Sequence, residues 1–392
     1  MRTVYILGAG FSKDAGLPLL DDFIGSIRTA STSSDLSEEE RRWCTRVQSC
    51  RERMSRISDS FKVRLDNLEE LFSLLEHEVQ LAVAGAEEDR DALVLAIIRT
   101  LELRLESAYR RDTPMVTGRR LGTEAAARMK EMFGLEYAET AGSYLYHAFA
   151  RAVGATWEDS KGESDSVVSF NYDLVLDRAF YEVGYQIDYG LDLASTPTAA
   201  PDRPRATQPI PFYKLHGSAN WFRCSKCKDL FIAPPRLKMG AMEKSLLEFS
   251  RRAPCPNCKA EPVSGKEHEH APHLPFIVPP TPTKGAYAVH LAGLWEKALG
   301  RLHHADRIVV IGYSYPETDS FFRYMLGASV RVGAGVKLVL VNPEETVCQR
   351  FRTLLNEEFA RQHFVDVRTK HPVLAKGFDR ESFIRLAEYL QR

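Results

Sequence analysis

The chain has 392 residues, 44% of them hydrophobic, which is enough for one large α/β core with insertions. Its 52 Lys and Arg residues nearly balance 53 Asp and Glu residues, so no global field attracts it to nucleic acid or to an anionic membrane. The apolar stretch Val4 to Leu7 is too short for a signal peptide, and no window has the length of a membrane span. We therefore expect a cytoplasmic protein with no direct nucleic-acid binding.

The first predicted element is a strand followed by a tight turn and a helix. Thr3 to Ala9 is apolar and β-branched, and it runs into Gly8-Ala9-Gly10-Phe11-Ser12. In such a turn the backbone can approach a diphosphate, while the helix N-terminus and the Ser hydroxyl offer donors. An ordinary βα turn can carry the same short pattern. A ribose-binding acid about 20 residues on would be Asp21 or Asp22, but no second strand precedes them, which disfavours hydride transfer.

Residues 34–152 have the helical spacing of a large insertion. Leu68, Leu71 and Leu75 fall on one face of one predicted helix, and Leu93 and Ile97 on one face of another. The pair Ser34-Asp35, ahead of three glutamates, predicts a helix cap.

Two predicted strands then end in polar residues. Ser166 to Phe170 is followed by Asn171 and Asp173, and Phe212 to Leu215 is followed by His216 and a glycine. At a strand end Asn171 can bind a sugar hydroxyl or a water, and His216 is expected to be exposed enough to accept a proton. The alternatives are a helix cap for Asn171 and Asp173, and a structural role for His216.

Two Cys-x-x-Cys pairs, Cys224 with Cys227 and Cys255 with Cys258, have the spacing of a tetrahedral zinc site. Four thiolates fill the coordination sphere, so the Zn²⁺ is predicted to be structural. The nearby His268, His270 and His273 are interpreted as part of a mobile polar loop rather than as ligands.

Two further apolar runs, Arg307 to Gly312 and Lys337 to Val341, are typical of central parallel strands, and Arg380 to Leu390 is predicted to be an amphipathic helix. The sequence thus predicts an α/β fold, a Rossmann-like doubly wound parallel sheet with a helical insertion and a small zinc-binding lobe. The predicted divisions are a core of residues 1–33 and 153–392, the insertion 34–152, and a zinc-ribbon-like lobe 218–275 within the core.

Taken in chain order, these motifs resemble those of sirtuins. Gly-Ala-Gly-x-Ser with Ala-Gly-Leu-Pro, Asn-x-Asp, His-Gly and the two cysteine pairs are followed by Gly312-Tyr313-Ser314 and by Asn342-Pro343-Glu344. The resemblance implies NAD as the ligand of the core. It implies that Gly8, Ala9, Gly10, Phe11 and Ser12 hold the diphosphate, that Asn171, Asp173 and His216 do the chemistry, and that Gly312, Ser314, Asn342 and Glu344 bind the adenosine half.

Three departures distinguish the chain from deacylase sirtuins. Leu19 to Phe23 lacks their Phe-Arg, Phe170 stands where they have Gln, and Phe276 to Pro280 replaces the strand on which acyl-lysine peptides add. With Asp66 to Phe72, these features resemble the sirtuin-like NAD hydrolases of prokaryotic antiphage defence. That resemblance implies an NAD glycohydrolase that depletes NAD, assembles as a homo-oligomer, and responds to a hexameric ATPase or another sensor protein.

Two alternatives to NAD hydrolysis would use the same predicted pocket. One is an NAD-dependent protein deacylase or ADP-ribosyltransferase, and the other is a sensor that binds NAD or ADP-ribose without turnover.

Overall fold

The protein is described by a computed structural model. It covers residues 1–58, 60–110, 145–160, 165–191, 208–224, 226–233, 245–252, 254–259, 273–278, 285–315, 320–330 and 335–366, together with Phe383 and Leu386.

Strands in the described residues form two sheets. They are β1 (Thr3–Leu7), β2 (Ser166–Ser169), β3 (Ile187–Asp188), β4 (Ile210–Lys214), β5 (Gly217–Cys224), β6 (Leu230–Ile232), β7 (His273–Ile277), β8 (Arg307–Ile311), β9 (Lys337–Val341) and β10 (Phe364–Asp366). The main sheet has the order β10-β9-β8-β1-β2-β4-β3, and every pairing in it is parallel. This confirms the predicted α/β class.

Strand β1 lies at the point where the strand order reverses. From β1 the chain adds β2, β4 and β3 on one side, and it later adds β8, β9 and β10 on the other. Leu7 pairs with both Ser169 and Ile311, so the carboxyl ends of the central strands are level. Such a switch point is where doubly wound sheets bind ligands.

The central strands were predicted to within about two residues because their composition leaves little choice. All residues of β1 and β8 are buried, so both faces of the sheet are covered, as continuous apolar runs indicate.

Helices cover the sheet and form a separate group after β1. They are α1 (Phe23–Ser31), α2 (Glu38–Ser58), α3 (Leu68–Gln80), α4 (Ala86–Arg110), α5 (Leu145–Asp159), α6 (Val175–Glu182), α7 (Leu246–Arg252), α8 (Gly285–His303), α9 (Ser320–Ser329), α10 (Glu345–Leu354) and α11 (Glu357–His363), with 3-10 helices at Ala9–Ala15 and Leu20–Asp22. In the group between α1 and α5, α2 and α3 pack on α4, and α1 packs on α2 and α4.

Helices α2 and α3 begin at side-chain caps. Helix α2 starts with a reciprocal pair, in which Glu40 N–H donates to Ser37 Oγ at 3.2 Å and Ser37 N–H donates to the Glu40 carboxylate at 2.7 Å. The cap predicted at Ser34-Asp35 is therefore wrong, because the residue that exchanges hydrogen bonds with the first turn of α2 is Ser37. In α3, Asn67 Oδ1 accepts the amide N–H of Glu69 at 2.9 Å.

The small sheet has the antiparallel order β6-β5-β7. Only Leu215 and His216 separate β4 from β5, so the chain passes directly from the main sheet into the small one. Helices α4 and α7 pack on β7, and Leu246 N–H donates to the Glu102 carboxylate of α4. The small lobe is thus in contact with the helical group.

Some predictions lie outside the described residues. These are most of the C-terminal helix 380–390, His268 and His270, and Pro279 and Pro280. His273, in contrast, is described, and its assignment to a mobile loop is wrong. It is buried in β7 and packs edge-on against Phe231, with ring centroids 4.9 Å apart. No described helix is long and apolar enough to cross a membrane.

Candidate active site at the carboxyl edge of the sheet

The predicted site residues follow neighbouring strands at one edge of the main sheet. The glycine turn follows β1, Asn171 follows β2, His216 follows β4, Gly312 follows β8 and Asn342 follows β9. Because these strands are parallel and level, segments about 300 residues apart in sequence meet at the switch point.

Glycine is required in the turn because two chain segments touch there. A Cβ on Gly8 would lie 2.5 Å from Tyr313 Cα, and one on Gly10 would lie 2.8 Å from Gly312 Cα. Gly312 has φ +62°, and its own Cβ would lie 2.3 Å from the amide nitrogen of Phe11. The turns after β1 and β8 are therefore packed backbone to backbone.

Three of the N–H groups that the sequence suggested for a diphosphate already have backbone acceptors. Gly8 N–H donates to Ile311 O at 3.0 Å, Gly10 N–H to Gly312 O at 2.8 Å, and Phe11 N–H to Gly8 O at 2.9 Å. Phe11 itself is a core residue, with its ring 5.2 Å from those of Tyr146 and Phe149. The half-buried Ala9 and the buried Ser12 remain as the turn's contributions to a ligand site.

Asn171 is bound directly to the glycine turn. Its Nδ2 donates to Gly8 O at 2.9 Å and to Ser12 Oγ at 3.3 Å. Since a carbonyl oxygen can only accept, this contact fixes the amide orientation and turns Oδ1 away from the turn. Among the described residues no donor reaches that Oδ1. The half-buried Asn171 is therefore not a helix cap, and its oxygen can accept from a ligand or a water.

Asp173 is the buried acid of the site. Its Oδ1 accepts the N–H of Val175, the first residue of α6, at 3.0 Å, while the N-cap position of that helix is occupied by Leu174. Burial raises the pKa of Asp173, while the Lys214 charge, the Val175 N–H and the Ser12 hydroxyl act to lower it. Ser12 thus contacts both Asn171 and Asp173, which makes it the centre of this cluster.

His216 is buried, with 4% of its surface exposed, which corrects the expectation of an exposed imidazole. The flanking glycine suggested exposure, but aromatic rings from the end of β2 cover it. The Phe170 ring lies 5.0 Å away edge-on, and the Tyr172 ring lies 6.3 Å away. The His216 carbonyl accepts Val278 N–H at 2.7 Å, which secures the turn between β4 and β5.

Gly217 allows this turn. Its φ is +78°, and a Cβ there would lie 2.3 Å from Phe276 O of β7. A side chain at this position would therefore displace β7 from β5.

The predicted adenosine residues lie on the other side of β1. Asn342 is buried, with Nδ2 3.3 Å from Tyr313 O and Oδ1 accepting Glu344 N–H at 2.9 Å. Ser314 and Glu344 are exposed at the ends of β8 and β9. Asn342 therefore joins the two turns, while Ser314 and Glu344 remain open to a ligand.

Sequence reasoning missed two residues that secure the site. Lys214, the last residue of β4, is fully buried beside Asp173, and Arg350 of α10 donates to Tyr315 O at 2.9 Å after β8. The signal for Lys214 was a charged residue in an otherwise apolar strand. Arg350 had no such signal, because the contact spans 35 residues.

Two residues at positions where the sequence departs from the sirtuin pattern make defined contacts in the structure. Phe170 joins an aromatic cluster with Tyr313, at 4.8 Å, and Phe322, at 5.7 Å. Asp21 accepts Asn67 Nδ2 at 2.6 Å, so it binds the start of α3 rather than standing free for a ribose.

The four cysteines meet, although 27 residues separate the pairs. Their sulfur atoms lie within 4.8 Å of one another, and two of the separations are 3.8 and 3.7 Å. Four sulfurs at about 2.3 Å from Zn²⁺ in a tetrahedron are about 3.8 Å apart, while a disulfide requires about 2.05 Å. The donor set thus fits a structural zinc ion.

The two knuckles have the same backbone form. Lys228 N–H donates to Cys224 O at 3.0 Å and Lys259 N–H donates to Cys255 O at 2.9 Å. Both lysines have positive φ, of 66° and 55°. Each Cys-x-x-Cys pair therefore closes one tight turn around the metal position.

No protein-family model matches the chain, and no curated protein sequence matches it. Similar solved structures include a Sir2 homologue with NAD, at 12% identity and TM-score 0.40, covering 100% of this chain and 91% of that one. A mutant Sir2 homologue with ADP-ribose has 14% identity and TM-score 0.37, and the match covers 99% of this chain and 94% of that one. Sir2Tm with a propionylated peptide has 17% identity and TM-score 0.34, and the match covers 95% of this chain and 93% of that one. TM-scores this low do not establish a shared fold, and the α/β class of this chain rests on its own strand order.

Proposed function

We propose that this chain binds NAD across the switch point and hydrolyses its nicotinamide–ribose bond to give nicotinamide and ADP-ribose. The observation that carries the proposal is the Asn171 amide, bound to Gly8 O at 2.9 Å and to Ser12 Oγ at 3.3 Å. It joins the polar residues after β2 to the glycine turn after β1, so a diphosphate on the turn brings the attached ribose to Asn171 and Asp173.

The reaction needs few groups. The bond between the ribose C1′ and the nicotinamide nitrogen breaks with its electron pair leaving on nicotinamide, and a water oxygen forms the new bond to C1′. One proton is released. In this scheme Asn171 Oδ1 orients the water and His216 accepts its proton.

Burial assists this chemistry. Departure of nicotinamide leaves an oxocarbenium-like sugar, which is stabilised by a negative charge in a site with little water. Asp173 supplies the charge in its ionised form, which the Lys214 ammonium and the Ser12 hydroxyl favour against the effect of burial. Phe170 and Tyr172 exclude water on the His216 side. The exposed Ser314 and Glu344 are proposed to bind the adenosine half.

The acceptor is proposed to be water. A deacylase would need an acyl peptide to add as a strand beside β7, and helices α4 and α7 pack on that strand. Pro275 within β7 also lacks an N–H donor. These features favour a reaction that needs no peptide.

Product analysis tests the proposal. Purified protein is incubated with NAD, with and without an acyl-lysine peptide and a carrier protein, and the products are separated by chromatography. Free ADP-ribose without peptide is expected. Acyl-ADP-ribose formed only with peptide, or ADP-ribose attached to the carrier, would replace water as the acceptor, and intact NAD that is bound but not cleaved would make the chain a sensor.

The biological role is proposed from the motif resemblance. The chain would be an NAD-depleting effector of antiphage defence, active as a homo-oligomer and controlled by a hexameric ATPase or another sensor protein. NAD cleavage is expected to be slow in the isolated protein and to rise with assembly. A full rate in the isolated protein at every concentration would remove the reason for a partner.

A further inference from the structure

A fully buried ion pair lies directly behind the candidate site. Lys214 Nζ is 3.2 Å from the Asp177 carboxylate of α6, and both side chains are 1% exposed. Removing two charges from water is unfavourable, and such a pair often contributes no more stability than apolar residues of the same volume. The pair therefore suggests a function other than stability.

Lys214 has a second acceptor in the site itself. Its Nζ donates to the Asp173 backbone carbonyl at 2.5 Å. The preceding carbonyl, that of Tyr172, accepts Ala219 N–H of β5 at 2.8 Å. Two consecutive carbonyls of the segment 171–173 are thus held from β4 and β5, while the Asn171 side chain is held by the glycine turn.

The contacts continue beyond Asp177. Tyr189 OH donates to Asp177 Oδ1 at 2.5 Å, and Asn220 Nδ2 donates to Tyr189 OH at 3.5 Å and to Ala233 O at 2.8 Å. These partners determine where the Asp177 carboxylate stands, and it in turn orients the Lys214 ammonium. Each member is buried, so solvent does not compete for these hydrogen bonds.

We propose that Lys214 is a positioning residue, which through the Asp173 carbonyl holds Asn171 and Asp173 in the geometry required for NAD cleavage. This inference rests on the proposed function for its catalytic part. Its structural part, that Lys214 orders the segment 171–173, stands independently. Lys214 itself touches no reacting atom in this scheme.

Replacing Lys214 alone would leave the Asp177 charge buried and unpaired, and that variant could fail to fold. The test therefore compares two double variants. They are the methionine pair, Lys214→Met with Asp177→Asn, and the glutamine pair, Lys214→Gln with Asp177→Asn. Both remove the two charges, keep an oxygen acceptor for Tyr189 OH and have similar volumes. Only glutamine retains a donor for the Asp173 carbonyl.

Measurement of kcat and KM distinguishes a role of Lys214 in positioning from a role in NAD binding. The methionine pair is expected to lower kcat for NAD at least about tenfold with KM changed less than about threefold, because a small displacement of a reacting group affects the chemical step most. The glutamine pair is expected to retain most of the turnover. Equal kcat values in the two pairs would overturn the proposal.

Amide hydrogen exchange provides a readout that needs no activity. Exchange at residues 171–173 is expected to be faster in the methionine pair than in the glutamine pair, and unchanged in β8. If the wild-type protein releases no nicotinamide, the proposed function fails and this comparison alone decides on Lys214. Equal exchange in both pairs would show that Lys214 does not order the segment.

Tyr189→Phe supplies a milder variant in case the pairs do not fold. It removes only the hydroxyl that donates to Asp177 at 2.5 Å. Faster exchange at residues 171–173 than in wild type is the expected result, and wild-type exchange would contradict the chain of contacts.

Discussion

The close contact between the turns after β1 and β8 makes Gly312→Ala the most informative perturbation of the nucleotide site. Gly312 has φ +62°, and its new Cβ would lie 2.3 Å from Phe11 N and 2.4 Å from the carbonyl carbon of Gly10. These neighbours are backbone atoms, which cannot rotate away. Gly335 is a matched control, because it has φ +72° and nothing within 4 Å of the new Cβ.

Comparison of the two variants distinguishes the cost of backbone strain from the cost of the steric contact between the two turns. A left-handed conformation costs a residue with a Cβ about 1–2 kcal/mol, and both variants bear this cost. Overpacking adds about 1–3 kcal/mol at Gly312 alone. We therefore expect Gly312→Ala to lose about 2–5 kcal/mol of unfolding free energy, against about 1–2 kcal/mol for Gly335→Ala.

The assays are urea unfolding and NAD binding by calorimetry. Because the displaced atoms belong to the glycine turn, Gly312→Ala is expected to weaken NAD binding on the order of tenfold or more, while Gly335→Ala leaves it unchanged. An equal loss of stability and equal NAD binding in the two variants would show that the contact between the two turns does not shape the nucleotide site.

Three further predictions concern the metal lobe, the sheet and the start of α3. Cys255→Ser should lower the bound zinc measured after dialysis and destabilise the small lobe, whereas Cys348→Ser, a buried cysteine outside the cluster, should keep the metal. Burial raises the pKa of Asp165 from 3.8 to about 6, so the folded state retains a proton that the unfolded state loses, and stability should fall by up to about 3 kcal/mol as pH rises from 4 to 6. Asp165→Asn should abolish that fall in urea titrations, and an unchanged slope would contradict it. Asn67→Ala removes the cap of α3 and the contact with Asp21, which should cost roughly 1 kcal/mol, while Asn67→Ser should retain the cap.

The sheet could be predicted from the sequence because its signal is local. Continuous apolar runs such as Arg307–Ile311 belong to strands buried on both faces, and the residues that come directly after parallel strands lie at one edge of the sheet. That reasoning brought Asn171 and the glycine turn to the same edge. The two cysteine pairs were equally predictable, since their spacing already describes a metal site.

The details that sequence reasoning missed come from contacts between distant segments. The exposure of His216 was misjudged because Phe170 and Tyr172, which cover it, come from the segment that follows the neighbouring strand β2. The role of glycine at position 10 was assigned to a ligand, whereas its immediate cause is the backbone at Gly312. His273 was assigned to a loop from its neighbours in sequence, although pairing with β5 makes it part of a strand.

The most direct test of the site as a whole is nicotinamide release by the wild-type protein and by Asn171→Ala, with NAD binding to both measured by calorimetry. We expect the wild type to produce equal amounts of nicotinamide and ADP-ribose. The variant should bind NAD with similar affinity but release no nicotinamide, because the diphosphate contacts remain and the water-orienting amide is gone. Undiminished release by Asn171→Ala would contradict the account.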